Sequence, residues 1–157
     1  MRPISTFTHG IVDYATAATV LTVPRLLGWS SRVRNLFGAV GLGVLGYSLC
    51  TKYELGAARM MSMRTHLAMD ALGGMFCLAA PMLLRRRDRA VGVDSAFMGL
   101  GLMEIGASLL TKTESPLELQ ERRQAAAVPQ RSINDVVIEE VVSGRDDIPV
   151  PAMIDAK

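Results

Sequence analysis

The sequence predicts an all-α protein: a bundle of four transmembrane helices, formed by two tandem helical-hairpin repeats and followed by a flexible C-terminal tail. Three observations predict this fold class. Half of the 157 residues are hydrophobic, and the mean hydropathy is +0.27. The apolar residues are concentrated in four segments, at about 10–29, 36–50, 67–84 and 91–110. A pattern of polar residues recurs between the two halves of this region.

Each apolar segment has the length of a helix that crosses a bilayer. At a rise of about 1.5 Å per residue, segments of about 15 to 20 residues reach roughly 22–30 Å, close to the thickness of a bilayer core. "LFGAVGLGVLGYSLC" in the second segment has no charged residue, and "FMGLGLMEIGASLL" in the fourth has a single Glu. Because a helix of a soluble bundle needs a polar face, this composition favours a membrane.

The first and third helices carry one pattern twice. "STFTHGIVDYATAATVLTVPRLL" begins at Ser5, and "SMRTHLAMDALGGMFCLAAPMLL" begins at Ser62. Ser, Thr-His, Asp, Leu, Pro and Leu-Leu recur at the same internal spacing, 57 residues apart. Such self-similarity indicates that a supersecondary unit is duplicated.

The second and fourth helices continue the repeat. "GLGVLGYSLCTKYE" (41–54) aligns with "GLMEIGASLLTKTE" (101–114), so the chain is a duplicated helical hairpin. Two spans return the chain to its starting side, and the copies therefore share one orientation, with a pseudo-twofold axis along the membrane normal. Glycines on these helices are expected to allow close helix contacts, and Pro24 and Pro81 to lie near the far ends of the odd-numbered helices.

Arginines near the two helix turns predict the orientation. Seven lie near the turns: Arg25, Arg32, Arg34, Arg85, Arg86, Arg87 and Arg89. Five basic residues lie near the opposite membrane face: Arg2, Lys52, Arg59, Arg64 and Lys112. Positive residues favour the cytoplasmic side, so the turns are expected in the cytoplasm and both termini on the non-cytoplasmic side.

The chain divides by composition into a helical domain and a polar tail. The transmembrane domain is expected at 1–114, with repeats at about 5–54 and 62–114. Residues 115–157 are polar and acidic, and we expect them to be largely disordered, with a short polar helix at their start that Pro129 stops.

Ionisable residues cluster at the terminus-side end of the predicted bundle. His9 and Asp13 are four residues apart, as are His66 and Asp70, so each Asp can accept a hydrogen bond from its own His. The candidate polar cluster comprises His9, Asp13, His66, Asp70, Glu104, Lys52 and Lys112, with Tyr47 nearby. Glu104 takes the place of Val44 in the other repeat and is expected to face the interior. Ser48 and Ser108 are expected to bond back to their own helices.

The cluster admits three interpretations. The first is a structural role, in which the polar pairs fix the register of the helices and their depth in the membrane. The protein is then a non-enzymatic membrane component without catalytic residues or a cofactor. The first alternative is a proton or ion path through Asp13, Asp70 and Glu104. The second is haem or a metal ion bound between His9 and His66. Nucleic acid is excluded as a partner, because no basic stripe interleaves with aromatic residues.

A family resemblance agrees with the predicted fold. "THGIVDY", "YSLCTKYELG", "MRTHLAMDALGGMFCLAAPMLL" and "MGLGLMEIGASLLTKT" resemble small bacterial membrane proteins of the SPW-repeat type. The match covers about residues 5–114. Pro24 and Pro81 remain from the name-giving motif, whereas the Ser and Trp beside them are absent. The resemblance implies four helices in two hairpin copies and a bacterial inner-membrane location, and it implies no reaction.

The expected partners follow from this interpretation. The lipid bilayer is the main one, and the glycine faces suit a homo-oligomer or another membrane protein.

Overall fold

The computed structural model describes residues 2–127, and within this range the protein is all-helical. Five α-helices follow one another along the chain: α1 Thr6–Leu26, α2 Ser31–Cys50, α3 Met63–Leu83, α4 Val93–Leu110 and α5 Pro116–Ala127. A single 3-10 turn, Arg86–Asp88, lies between α3 and α4. The four long helices coincide with the four apolar segments of the sequence.

Serine caps begin three of the long helices. Ser5 and Ser62 hold the equivalent place before α1 and α3, and each side chain accepts the backbone N–H three residues later, at 3.0 Å and 3.2 Å. Ser30 caps α2 in the same way. A capping oxygen satisfies a backbone donor that the first helical turn leaves free, so these serines fix where the helices begin. Pro24 and Pro81 lie within the last turns of α1 and α3, as the sequence predicts.

Glycine contacts bring the helices of each hairpin together. A Cβ atom at Gly41 of α2 would lie 2.7 Å from Val20 of α1. In the second hairpin, a Cβ at Gly74 would lie 2.7 Å from the carbonyl oxygen of Gly101, and the reverse distance is 2.6 Å. Backbone therefore touches backbone where α3 crosses α4, a contact that only glycine permits.

The apolar core lies toward the helix turns. The rings of Phe37 and Phe97 stack with their centroids 4.1 Å apart, and Trp29 packs on Phe37. Val33 and Cys77 are fully buried in the same cluster. The end of the bundle near the α1–α2 and α3–α4 turns is therefore apolar inside. The ionisable side chains lie at the opposite end, where α1 and α3 begin.

Three of the four long helices are long and apolar enough to cross a membrane. They are α2, α3 and α4, with mean hydropathies of 1.3 to 1.4. Their outward faces carry large apolar side chains, of which Leu42, Leu72 and Leu102 are more than 60% exposed. Exposed apolar surface of this extent suits contact with lipid, so the fold is that of a membrane protein. Helix α1 is not among these three, and it contains five threonines together with His9 and Asp13.

The first compact unit of the chain is Met1–Arg122. It includes the start of α5. The second unit begins at Arg123, and its described part is the end of α5. The short polar helix predicted after residue 115 is α5, whereas Pro129 and the rest of the predicted disordered tail lie outside the described residues.

Candidate metal centre

Four buried side chains meet where α1 and α3 begin. His9 and Asp13 come from α1, His66 and Asp70 come from α3, and none is more than 3% exposed. One nitrogen or oxygen atom from each residue lies within 4.8 Å of the other three. The Nε2 atoms of the two histidines are 3.1 Å apart. The two helices thus direct equivalent residues of the sequence repeat into one space.

The shortest contacts within this cluster join the two sequence copies. His9 Nε2 lies 3.0 Å from Asp70, and His66 Nε2 lies 3.1 Å from Asp13. The contacts within each helix, which the spacing of four residues predicts, are longer, at 3.3 Å and 3.4 Å. Each histidine therefore contacts both carboxylates, and the residues form one site rather than two separate pairs.

Two threonines set the orientation of the histidine rings. Thr111, at the end of α4, lies 2.8 Å from His9 Nδ1, and Thr51, at the end of α2, lies 2.9 Å from His66 Nδ1. Each threonine hydroxyl donates its proton to the backbone carbonyl four residues earlier, at 2.7 Å and 2.6 Å. Its oxygen is then free to accept, so we infer that each Nδ1 carries a proton and donates it. Both Nε2 atoms consequently point into the site, and each presents a lone pair there when its ring is neutral.

The carboxylates also have outer hydrogen-bond partners. Tyr47 donates to Asp70 Oδ1 at 2.7 Å, and Ser48 donates to Asp13 Oδ2 at 3.1 Å. Ser108 donates to a backbone carbonyl of its own helix, as predicted. The same prediction is wrong for Ser48, because Asp13 on the packed helix α1 provides a charged acceptor, which is stronger than a backbone carbonyl.

A tyrosine from the connection between α2 and α3 covers the site. Tyr53 is fully buried, and its ring centroid lies 5.9 Å from that of His66. The ring occupies the space beside Gly10, where a Cβ atom would lie 2.1 Å from it. Burial raises the pKa of the Tyr53 hydroxyl above its ordinary value, so this side chain is neutral at physiological pH.

The start of α5 forms hydrogen bonds at the end of the bundle where α1 and α3 begin. The Glu118 carboxylate accepts the backbone N–H of Met63 at 3.0 Å and that of Ser115 at 2.9 Å. The Ser115 hydroxyl donates to the backbone carbonyl of Lys52 at 2.5 Å. Together these bonds satisfy backbone groups near the N-terminus of α3 and at the connections that cover the site.

The structure separates the remaining predicted site residues. Lys52 is half-buried at the surface and pairs with Glu121 at 2.9 Å, and Lys112 is exposed. Neither belongs to the buried cluster. Glu104 is 4% exposed and faces the interior. The buried site therefore combines His9, Asp13, His66 and Asp70, with Glu104 nearby.

The geometry of the four donors suits a divalent transition-metal ion. Ligand bonds of about 2.0–2.1 Å in a tetrahedron place neighbouring ligand atoms about 3.3 Å apart. The histidine nitrogens lie 3.1 Å from each other and 3.0–3.4 Å from carboxylate oxygens, with Asp13 presenting Oδ1 to His9 and Oδ2 to His66. One donor atom from each of the four residues lies within 4.8 Å of the other three. Two neutral imidazoles and two carboxylates balance a charge of +2, as burial requires.

Haem does not fit the two histidines. Axial ligands of a haem lie on opposite faces of the porphyrin plane. The rings of His9 and His66 are in edge contact, with centroids 5.1 Å apart and Nε2 atoms 3.1 Å apart. A macrocycle has no room between them, so the haem alternative is not supported by these residues.

No family model matches this chain, and neither a curated protein nor a solved structure matches it. The buried site and the apolar helices are therefore the features that indicate function.

Proposed function

We propose that this protein is a four-span integral membrane protein that holds one divalent transition-metal ion between His9, Asp13, His66 and Asp70. The role is non-enzymatic, that of a structural or accessory component of a bacterial inner membrane. Its helix turns face the cytoplasm. We also propose that the protein is related to the SPW-repeat membrane proteins, and the repeated pattern of the sequence supports this relationship.

The observation that carries the metal proposal is the convergence of two histidine lone pairs. The Nδ1 atoms lie 2.8 Å and 2.9 Å from the oxygens of Thr111 and Thr51, and the Nε2 atoms of His9 and His66 face each other at 3.1 Å, where neutral rings with a proton on Nδ1 present both lone pairs. Outer hydrogen bonds that fix a ring in this way are typical of metal-ligating histidines. Two lone pairs and two carboxylates in one buried space repel each other unless a cation lies among them.

Protons satisfy the site less well than a metal ion. If both histidines were protonated at Nε2, each N–H could donate to the aspartate of the other repeat, but two positively charged rings would lie with their Nε2 atoms 3.1 Å apart. If only one Nε2 were protonated, the two carboxylates would leave a net negative charge in a buried space. If neither were protonated, two carboxylates would share a buried space without a counter-charge. A single divalent ion meets all four donors at once and leaves the site neutral.

Helix α1 is proposed as the fourth span. Its polar residues His9, Asp13 and Thr16 are buried against the other helices, so its lower hydropathy reflects the site it contributes to. Ile11 and Val23 on its other face are exposed, as for a lipid-facing surface. The helix is also 21 residues long, which suffices to span a bilayer core.

Ion translocation receives no support from the described part of the chain. Between the site and the helix turns, the buried side chains are predominantly apolar, including Phe37, Cys77, Phe97 and Leu100. A path for a hydrated ion needs polar groups or water along its length. The interior therefore favours a site that retains an ion over one that passes it across the membrane.

Metal titration tests the binding proposal. Detergent-purified protein is stripped with a chelator and titrated with Zn²⁺ against a competing indicator, beside the variant His66→Ala. We expect one ion per wild-type chain and at least about 100-fold weaker binding by the variant, because a lost ligand exceeds the cost of a lost outer partner. Equal affinity of the two proteins would overturn the proposed site.

Cysteine labelling tests the fourth span. In a background with Ala at positions 50 and 77, single cysteines are introduced as Pro3→Cys and Leu27→Cys, both at exposed positions that flank α1. A membrane-impermeant thiol reagent should label them from opposite sides of the membrane. Labelling from the same side would show that α1 does not cross.

A further inference from the structure

We infer that Glu104 is a fifth ligand of the metal site, so that the site favours ions with five or more nitrogen and oxygen ligands, such as Mn²⁺ and Fe²⁺, relative to four-coordinate Zn²⁺. This inference rests on the proposed function and concerns which ion the same site selects. Structural zinc sites close at four ligands, whereas manganese and iron(II) accept more oxygen donors.

The register of α3 and α4 places Glu104 level with the site. The helices cross in backbone contact at Gly74 and Gly101. Asp70 precedes Gly74 by four residues, and Glu104 follows Gly101 by three. Because the helices of the hairpin are antiparallel, both residues lie on the site side of the crossing, at heights that differ by about 1.5 Å.

The side chain of Glu104 leaves its helix on the side of the metal site. Its Cβ atom lies 3.2 Å from where a Cβ of Gly74 would be, so the side chain leaves α4 on the face that meets α3. Asp70, on that facing helix, is a member of the cluster.

One oxygen of Glu104 has no partner in the described structure. Oε1 is fully buried and makes no hydrogen bond. A buried carboxyl oxygen without a partner is costly, and such a group in a native structure indicates a ligand or ion that completes it. A carboxyl oxygen offers a lone pair in either protonation state, so Oε1 is available to a metal ion in the neighbouring site.

Asp13 also indicates a coordination number above four. Its Oδ1 lies 3.3 Å from His9 Nε2, and its Oδ2 lies 3.1 Å from His66 Nε2. Both oxygens therefore face the site, although Oδ2 also accepts from Ser48, while Asp70 presents Oδ2 and gives Oδ1 to Tyr47. Two nitrogens, up to three aspartate oxygens and Glu104 provide five or more donors.

The repeat supplies a conservative variant. Glu104 corresponds to Val44, which is buried at 4% exposure in the other copy. Glu104→Val therefore installs a side chain that this fold already accepts at the equivalent position. Glu104→Gln is the second variant, because its amide oxygen remains able to coordinate.

Cobalt(II) absorption and metal competition provide the test. Chelator-stripped wild type, E104V and E104Q are loaded with Co²⁺ in detergent, after circular dichroism shows equal helicity. We expect weak visible bands for wild type and E104Q, and more intense bands for E104V, because the loss of one ligand lowers the coordination number of the Co²⁺ ion. The ratio of Mn²⁺ to Zn²⁺ affinity should fall at least about 10-fold in E104V.

The outcomes separate the two proposals. If E104V and wild type bind Co²⁺ with the same spectrum and the same Mn²⁺ to Zn²⁺ ratio, Glu104 is not a ligand, while the four-residue site stands. If the wild type binds no Co²⁺, the proposed function itself fails.

Discussion

The Nε2 atoms of His9 and His66 lie 3.1 Å apart although 57 residues separate them in the chain. They occupy the same place in the two sequence copies and reach the site from α1 and α3. This contact joins the two hairpins through polar groups, whereas the helices within each hairpin meet at glycines.

Metal removal is expected to destabilise the protein. An ion that binds only the folded state contributes about 2.7 kcal/mol when its free concentration is 100 times Kd. A chelator should therefore lower the Tm of the detergent-solubilised wild type, and added Zn²⁺ should restore it. The double variant His9→Ala, His66→Ala should respond to neither, and a wild type insensitive to the chelator would contradict a filled site.

The two threonines are expected to act on metal affinity through the histidines. Thr51→Val and Thr111→Val remove the acceptors that fix the rings, so each should weaken Zn²⁺ binding by about 10- to 100-fold. Thr19→Val is the matched control, because its hydroxyl makes the same bond to the carbonyl four residues earlier at an exposed position away from any histidine. If all three variants bind alike, the threonines do not orient the ligands.

Replacing the adjacent glycines Gly73 and Gly74 of α3 by alanine should have different effects on the stability of the protein. A Cβ at Gly74 would lie 2.7 Å from the backbone oxygen of Gly101, so Gly74→Ala should separate the helices and cost about 1–3 kcal/mol. Gly73 has no atom within 4 Å of such a Cβ, so Gly73→Ala should be neutral or stabilising by up to about 1 kcal/mol. Thermal unfolding in detergent measures both, and equal Tm values would argue against the backbone contact.

Glu118 is expected to stabilise the cover over the site. Glu118→Ala leaves the N–H groups of Met63 and Ser115 without their acceptor and should cost about 0.5–2 kcal/mol, as the loss of a helix cap does. The control is Glu121→Ala, which removes an exposed ion pair with Lys52 and should cost about 0–1 kcal/mol. A larger loss of unfolding free energy for the control would show that α5 is held mainly by that pair.

The sequence predicts the helices well because their signals are local. Apolar runs mark the four long helices, although those for α1 and α3 begin at about residues 10 and 67, four residues after the helices themselves begin at Thr6 and Met63. The first turns of these two helices contain polar residues, so the apolar pattern begins late. Helix α1 was also predicted, although it is not among the helices that are apolar enough to cross a membrane by composition.

The sequence predicted which residues form the site, but it did not predict which of them contact each other. The spacing of four residues named His9 with Asp13 and His66 with Asp70, whereas the shortest contacts cross between the helices, since packing rather than spacing sets them. The roles of Thr51 and Thr111 were missed. Their recurrence at equivalent positions, just before a lysine in both copies, was the available signal.

Lys52 and Lys112 show the limit of inference from helix ends. Both lie two residues after the last residue of an even-numbered helix, which placed them beside the histidines in the sequence interpretation. A lysine has a flexible stem and a strongly hydrated head, so at a helix end it turns toward water. The preceding threonines, which are short, enter the site instead.

The most direct test is the metal content of the purified protein. The full chain is extracted from the membrane in detergent without added metal, and elemental analysis gives the ratio of transition metal to protein. We expect one ion per wild-type chain, and none in the variant His9→Ala, His66→Ala purified alongside. A wild type that is metal-free and takes up no ion on incubation would contradict the metal centre.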